Sequence, residues 1–137
     1  MNKSQIVDAF NKHFIEFIID IERVFPNDND IMSTRKTINK TLVIMPKSII
    51  KMFNENFVQM YGDKIDQGDI GFFIDNNYRK AHGYKDNEQV WALDKIESLR
   101  QPVKNMNDDD KQKVIKYLQN LKKLTELYND CKKKTNK

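Results

Sequence analysis

Apolar residues recur along most of this chain at steps of three and four, the period that gathers them on one face of an α-helix. The clearest stripe runs over residues 4–25, on Ile6/Val7, Phe10, Phe14, Phe17/Ile18, Ile21 and Val24/Phe25. Ile15 and Ile19 widen it, which predicts a helix packed on more than one side. Ser4 is the expected cap at its start, and Pro26 with Asn27 stops it. A second helix is expected from Asp28 or Asp30 to about Met45, on Ile31, Ile38, Leu42 and Met45, with Arg35 where a leucine would continue the stripe. Pro46 ends it, because the residue before a proline is pushed out of the helical region. Pro46 can also open the next helix as its first residue.

That third helix runs from 47 to 61 or 66 on Ile49/Ile50, Phe53, Phe57 and Met60/Tyr61. The pattern then loosens over 62–88, where all 4 glycines fall: Gly62, Gly68, Gly71 and Gly83. One or two helical turns over 69–75 present Phe72 and Phe73, and the polar stretch from Asn76 to Glu88 reads as a loop. A fifth helix over 87–100 rests on Val90, Leu93, Ile96 and Leu99, and Pro102 breaks or kinks it. The last helix starts after Asn107, which with Asp110 resembles a capping box, and runs to about 131 on Val114, Tyr117/Leu118, Leu121, Leu124 and Tyr128. The expected architecture is all-α. It is a single compact domain of five to six helices over 1–131, irregular around 62–88, with a basic flexible tail at 132–137.

Composition narrows the setting. With 137 residues, 39% of them apolar and 32% charged, the chain can bury one real core under a heavily solvated surface. Cys131 is the single cysteine, which forbids an internal disulfide and suits a reducing compartment. The start, Met1 to Gln5, lacks the basic-then-apolar layout of a secretory signal, and no apolar run approaches the ~20 residues that span a bilayer. The protein is therefore expected not to be secreted and to have no membrane partner.

Charge is sorted along the chain. Residues 111–137 hold 9 lysines and 2 acids, whereas residues 1–110 hold 15 Lys+Arg against 18 Asp+Glu, so a tail of +7 follows a front of −3. Lys111, Lys113, Lys116, Lys122 and Lys123, followed by Lys132, Lys133 and Lys134, form the candidate nucleic-acid-binding set. Such cations displace condensed counterions from phosphates, but lysine carries no base code and no arginine follows Arg100. The competing reading is a solubilising helix end whose cations match the helix dipole. Phe72, Phe73, Tyr78, Tyr84 and Trp91 form a candidate aromatic interaction surface, against the alternative that they pack a loop onto the core.

Catalytic chemistry finds little footing. Placing Gly68 at the sixth position of a calcium loop puts Ile65, Gln67 and Ile74 where oxygen ligands belong, so the segment 63–74 reads as a Gly/Asp turn. His13, His82 and Cys131 are too dispersed for a zinc site. His13 sits at the edge of the first stripe, and neither histidine has a Ser, Cys or paired carboxylate close in sequence. Glu16, Asp20 and Glu22 read as a solvated face. An enzyme reading survives only around His82 and the acidic loop residues. No catalytic residue, metal or cofactor is expected.

The stretches Phe14–Phe17, Phe25–Asp28, Gln67–Ile74, Leu99–Met106 and Tyr117–Leu124 are spread over nearly the whole length of the chain. Through them the chain resembles small lysine- and asparagine-rich helical proteins of large nucleocytoplasmic DNA viruses of protists. The resemblance implies a compact helical fold in the host cytoplasm or the virion, and brings no functional residue with it. Together these readings predict a non-enzymatic protein-interaction or structural protein, an adaptor or a virion-associated component, with a viral or host protein partner. Sequence-tolerant nucleic-acid binding through the lysine-rich end is the alternative. The width of the first stripe also raises a homodimer.

Overall fold

The computed structural model describes residues 2–75 and 97–135, and every regular element among them is helical. The helices are α1 (Lys3–Val24), α2 (Asn29–Ile44), α3 (Ser48–Phe53), α4 (Gln59–Asp66), α5 (Gly71–Asp75), α6 (97–104) and α7 (Asp108–Thr135). The expected loop over 76–88 and the first part of the fifth helix, 87–96, lie outside the described residues.

Helix α1 starts one residue before Ser4, and Asn2 caps it instead. The Asn2 side chain accepts from the Gln5 amide at 2.8 Å while Gln5 Oε1 accepts from the Asn2 amide at 2.9 Å, a reciprocal box that satisfies two otherwise orphaned donors. Asp28 caps α2 by accepting from the amides of Asp30 and Ile31. Met45 then ends α2 with its backbone out of the helical region ahead of Pro46, as the proline rule requires. Pro46 stays in the turn, so the next helix opens at Ser48.

Between α3 and α4 the helix widens into a π-turn, Asn54–Val58, and Tyr61 leaves helical geometry to kink α4. The wide turn keeps Asn56 in the core, where its amide donates to the Met52 carbonyl at 3.0 Å. Gly68 then reverses the chain with φ of +75°, a conformation that side chains disfavour. Pro102 does not break its helix. The turn around it is buried through Leu99, Pro102, Val103 and Met106, and that burial offsets the missing N–H. Asn107 accepts from the Asp110 amide at 2.8 Å and starts α7, which runs on to Thr135 rather than ending at 131.

α7 lies antiparallel along α1. Lys3 reaches over the Tyr128 ring at one end, and Tyr117 meets Phe17 toward the other. Phe17, Phe14, Phe10, Phe53 and Phe57 follow one another with ring centroids 5.3–6.2 Å apart, forming an aromatic spine from α1 through α3 into the π-turn. Each neighbouring pair adds roughly 0.5–1.5 kcal/mol beyond its burial. Most of the α1 stripe is covered inside one chain, with Ile6, Val7, Phe10, Phe14, Phe17, Ile18 and Ile21 all buried, while Val24 at its end is exposed.

α2 departs from the expected stripe. Thr34 and Thr41 are buried beside Ile31 and Ile38, each hydroxyl satisfied by the carbonyl four residues back. Met45 is 37% exposed, and Arg35 turns across to Glu22 on α1, with Nε 2.7 Å from Oε1.

Candidate functional site

The antiparallel pairing of α1 and α7 leaves a cleft of about 330 Å³ where the last turns of α1 meet the first turns of α7. Phe17, Ile21, Val24, Val114 and Met106 give it an apolar lining, and Asp20, Arg23, Asp110, Lys113 and Tyr117 its polar part. These positions follow from local sequence. Asn107 fixes where α7 begins, and the stripe on Val114, Tyr117 and Leu118 then faces α1.

The central polar groups of the cleft are already engaged with one another. The Tyr117 hydroxyl donates to Asp20 Oδ2, and Arg23 donates to Asp20 Oδ1 at 3.0 Å, so both oxygens of one carboxylate are occupied. Burial first, then the hydrogen bond and charge of Asp20, push the Tyr117 phenol up to about 12. It therefore stays protonated near neutral pH, and a locked, neutral phenol is a poor nucleophile or base. The two cations at the mouth are exposed, Arg23 by 75% and Lys113 by 73%, although each has an acid beside it: Asp20 for Arg23 and, at 4.0 Å, Asp110 for Lys113. The cleft thus combines an apolar floor with two exposed cations at its mouth.

The solvated-face reading of Glu16, Asp20 and Glu22 needs correction for two of the three. Asp20 holds Tyr117, and Glu22 holds Arg35 with only 20% of its side chain exposed. Glu16 stays exposed, 3.8 Å from His13 Nδ1. His13 packs its ring on Tyr117 at 4.7 Å, an edge-of-core position as expected. Among the described residues no three His, Cys, Asp or Glu side chains stand together as a metal site.

The candidate lysines do not share a face. At about 100° per residue, Lys113, Lys116 and Lys123 fall on one side of α7 and Lys111 with Lys122 on nearly the opposite side. Lys122 is withdrawn from any external anion. Its side chain is only 12% exposed, and its ammonium binds Asp66 at 3.1 Å and Glu126 at 2.9 Å. Its stem passes so close to α4 that a Cβ on Gly62 would stand 3.2 Å from it. Lys116 and Lys123 are exposed, and Lys132, Lys133 and Lys134 belong to the last turns of α7.

The aromatic surface also needs correction. Phe72 and Phe73 are core residues, 6% and 1% exposed, because α5 folds back so that both rings meet Phe57 and Phe72 stacks on Tyr61 at 4.8 Å. Tyr78, Tyr84 and Trp91, and His82 of the enzyme reading, lie outside the described residues.

Sequence reasoning passed over one feature entirely. Residues 31–54 contain 5 cations, Arg35, Lys36, Lys40, Lys47 and Lys51, and no acid. This segment turns outward at the corner between α2 and α3, where Val43 is 84% and Ile44 76% exposed. The signal was available as an acid-free window, but counting charge over the whole front of the chain averaged it away.

No protein-family model matches this chain, and no curated protein or solved structure matches it either.

Proposed function

We propose that this is a non-enzymatic interaction protein of a large DNA virus, virion-associated or acting in the infected cytoplasm, which docks a protein partner in the α1–α7 cleft. The observation that carries this reading is the cleft itself: an apolar floor, internal polar groups committed to one another, and Arg23 with Lys113 exposed at its mouth. The viral setting is supported by the resemblance of the stretches named above. The partner chemistry that fits is an apolar side chain followed or preceded by an acidic one.

The test is a pulldown from infected cells, with and without nuclease, using the wild-type chain and a Val24→Asp/Lys113→Glu variant. Both positions are exposed enough to change without opening the core. The reading expects protein partners that survive nuclease and are lost with the variant. Partners indifferent to the variant would overturn the cleft. Turnover of a substrate by the purified protein, abolished by one change at a titratable residue, would overturn the non-enzymatic reading.

A second reading, nucleic-acid binding through α7, is favoured by exposed Lys113, Lys116 and Lys123 on one face. Those three contacts alone give a log–log salt slope of about −2.7 at roughly −0.9 per contact, shallow for a nucleic-acid protein. Truncation after Tyr128 removes the further lysines and should flatten the slope toward that value. Nuclease-sensitive capture in the same pulldown supports this reading over the first.

A further inference from the structure

The corner between α2 and α3 carries four consecutive apolar residues, Val43, Ile44, Met45 and Pro46, with Val43 and Ile44 84% and 76% exposed. Val24, Met60 and Leu127 are also exposed, but singly and at 38–51%, so among the described residues this tip alone sets adjoining large apolar side chains out to solvent. Lysines surround it. Lys40 lies three and four residues before Val43 and Ile44, hence on their side of α2. Lys47 and Lys51 line one shallow depression with Met45 and Pro46. All three are exposed and make no ion pair among the described residues. On the α1 side, Asp8, Lys12 and Glu16 border the corner.

From these observations we propose that the α2–α3 corner is a docking tip for anionic lipid surfaces, with Val43 and Ile44 entering the headgroup–acyl boundary and Lys40, Lys47 and Lys51 meeting the phosphates. Among the described residues no helix is long and apolar enough to cross a membrane, and peripheral docking needs none. The sequence expectation of no membrane partner rested on the absence of a span and so did not address this mode.

At Met45 and Pro46 the backbone of the tip is bonded within the protein. The Met45 amide donates to the Thr41 carbonyl at 2.6 Å, and the Met45 carbonyl accepts from the Ser48 amide and hydroxyl at 3.1 and 2.8 Å. Pro46 has no N–H to satisfy, and its carbonyl accepts from Asn11 Nδ2 at 2.8 Å, which also ties the tip to α1. Polar groups bonded within the protein need not be stripped of water again on docking. Lysine stems extend along apolar surface while their ammonium groups reach outward.

Charge also selects the occupant. A second copy seated symmetrically on the tip would bring two acid-free cationic segments together. An acidic protein would satisfy the charge, but lysine ammonium groups are point charges with no planar geometry to recognise a fixed constellation. A protruding apolar tip ringed by such charges matches a fluid, laterally adaptable array of phosphates better than a shaped protein surface.

The experiment is co-sedimentation of the full chain with vesicles of phosphatidylcholine alone or mixed with phosphatidylserine. Binding is expected to the mixed vesicles and not to phosphatidylcholine, and to weaken as salt rises. Val43→Glu/Ile44→Glu should lower affinity by at least about tenfold. Lys40→Gln, Lys47→Gln and Lys51→Gln should each lower it by about fivefold, the value of one cation near an anionic surface. Leu127→Glu, an exposed apolar position on α7, should change nothing. Should the double glutamate variant melt early, the lysine variants carry the test alone. Failure to bind mixed vesicles at low salt, or equal binding by the lysine variants, overturns the proposal. So does capture of an acidic amphipathic peptide without vesicle binding, which would assign the corner to a protein.

Discussion

The α2–α3 corner and the α1–α7 seam use the same kinds of residue in opposite ways. Along the seam the apolar side chains point inward, and the lysines are split between two sides of α7, with Lys122 bound by Asp66 and Glu126. At the corner Val43 and Ile44 point outward, and Lys40, Lys47 and Lys51 stand exposed with no acid anywhere in 31–54. The seam holds more lysines, yet the corner holds the more coherent cationic surface. Total charge in a segment is thus a poor guide to what that segment can touch. What decides is which side of the helix each charge occupies and whether the fold has already used it.

The largest effect that separates the regions is on stability. Phe14 is 2% exposed and packs its ring between Phe10 and Phe17, so Phe14→Ala should cost about 3–5 kcal/mol through lost burial and the cavity left behind. Ile44→Ala should stay within about 0.5 kcal/mol, because little of its surface is withdrawn from water. Urea unfolding of both variants checks the pair. A large cost at Ile44 would mean that the corner is covered in solution, and the contrast would collapse.

The next effect concerns the one cation of the corner segment that pairs with an acid among the described residues. Arg35 occupies a position where the periodicity calls for leucine, and Arg35→Leu is the change the pattern would favour. It should nevertheless destabilise by about 1–2 kcal/mol, since Glu22 would keep its charge at 20% exposure with its partner gone. Adding Glu22→Gln should recover most of the loss, measured as a double-mutant cycle. If Arg35→Leu alone is stabilising, the pair contributes nothing and Arg35 belongs with the free cations.

Lys122 against Lys40 gives a smaller contrast. Lys122→Met should cost about 1 kcal/mol, modest because Asp66 and Glu126 are themselves more than half exposed, whereas Lys40→Met should fall within error. The hydrogen bond that Lys122 donates to Glu126 is the leading cause holding its ammonium above the ordinary lysine value, against a cost of burial. A raised value stabilises the fold while the group is charged. The gap between wild type and Lys122→Met should therefore be complete below the ordinary lysine value and close as pH climbs through the raised one. Unfolding midpoints on either side of that range test the sign.

These contrasts show which parts of the molecule could be read in the chain. The phenylalanines of α1, with Phe53 and Phe57, announced themselves because large apolar groups at helical spacing have few alternatives to burial. Thr34 and Thr41 did not, since their core positions depend on hydroxyls satisfied locally by the carbonyl four residues back. For Phe72 and Phe73 the pattern left a surface and packing onto the core both open, and the second holds, because α5 returns to the π-turn, a contact no local pattern specifies. The cleft was illegible for a simpler reason: Tyr117 and Asp20 are 97 positions apart. The corner was legible as an acid-free window, though its outward direction required the α2–α3 turn.

The smallest effect is spectroscopic and probes how the seam holds its polar groups. Burial is the largest cause raising the Tyr117 phenol from 10.0 to about 12, followed by the hydrogen bond and charge of Asp20 and the charge of Glu16, against a lowering by Arg23. Since the folded value lies above the unfolded one, this group stabilises the fold fully below pH 10.0, and the contribution fades as pH rises toward about 12. Tyr117→Phe should remove one late-ionising phenol from an absorbance titration and reduce the alkaline loss of stability. Tyr128, raised by burial alone, should remain as a second late phenol. The discriminating variant is Asp20→Asn, which deletes the charge but leaves the ring packed against Phe17 and His13. Ionisation of Tyr117 should then fall only partway toward 10.0, because the larger cause survives. A return all the way would show that water reaches the phenol freely, and that the carboxylate, rather than the closing of α7 on α1, keeps this end of the seam in order.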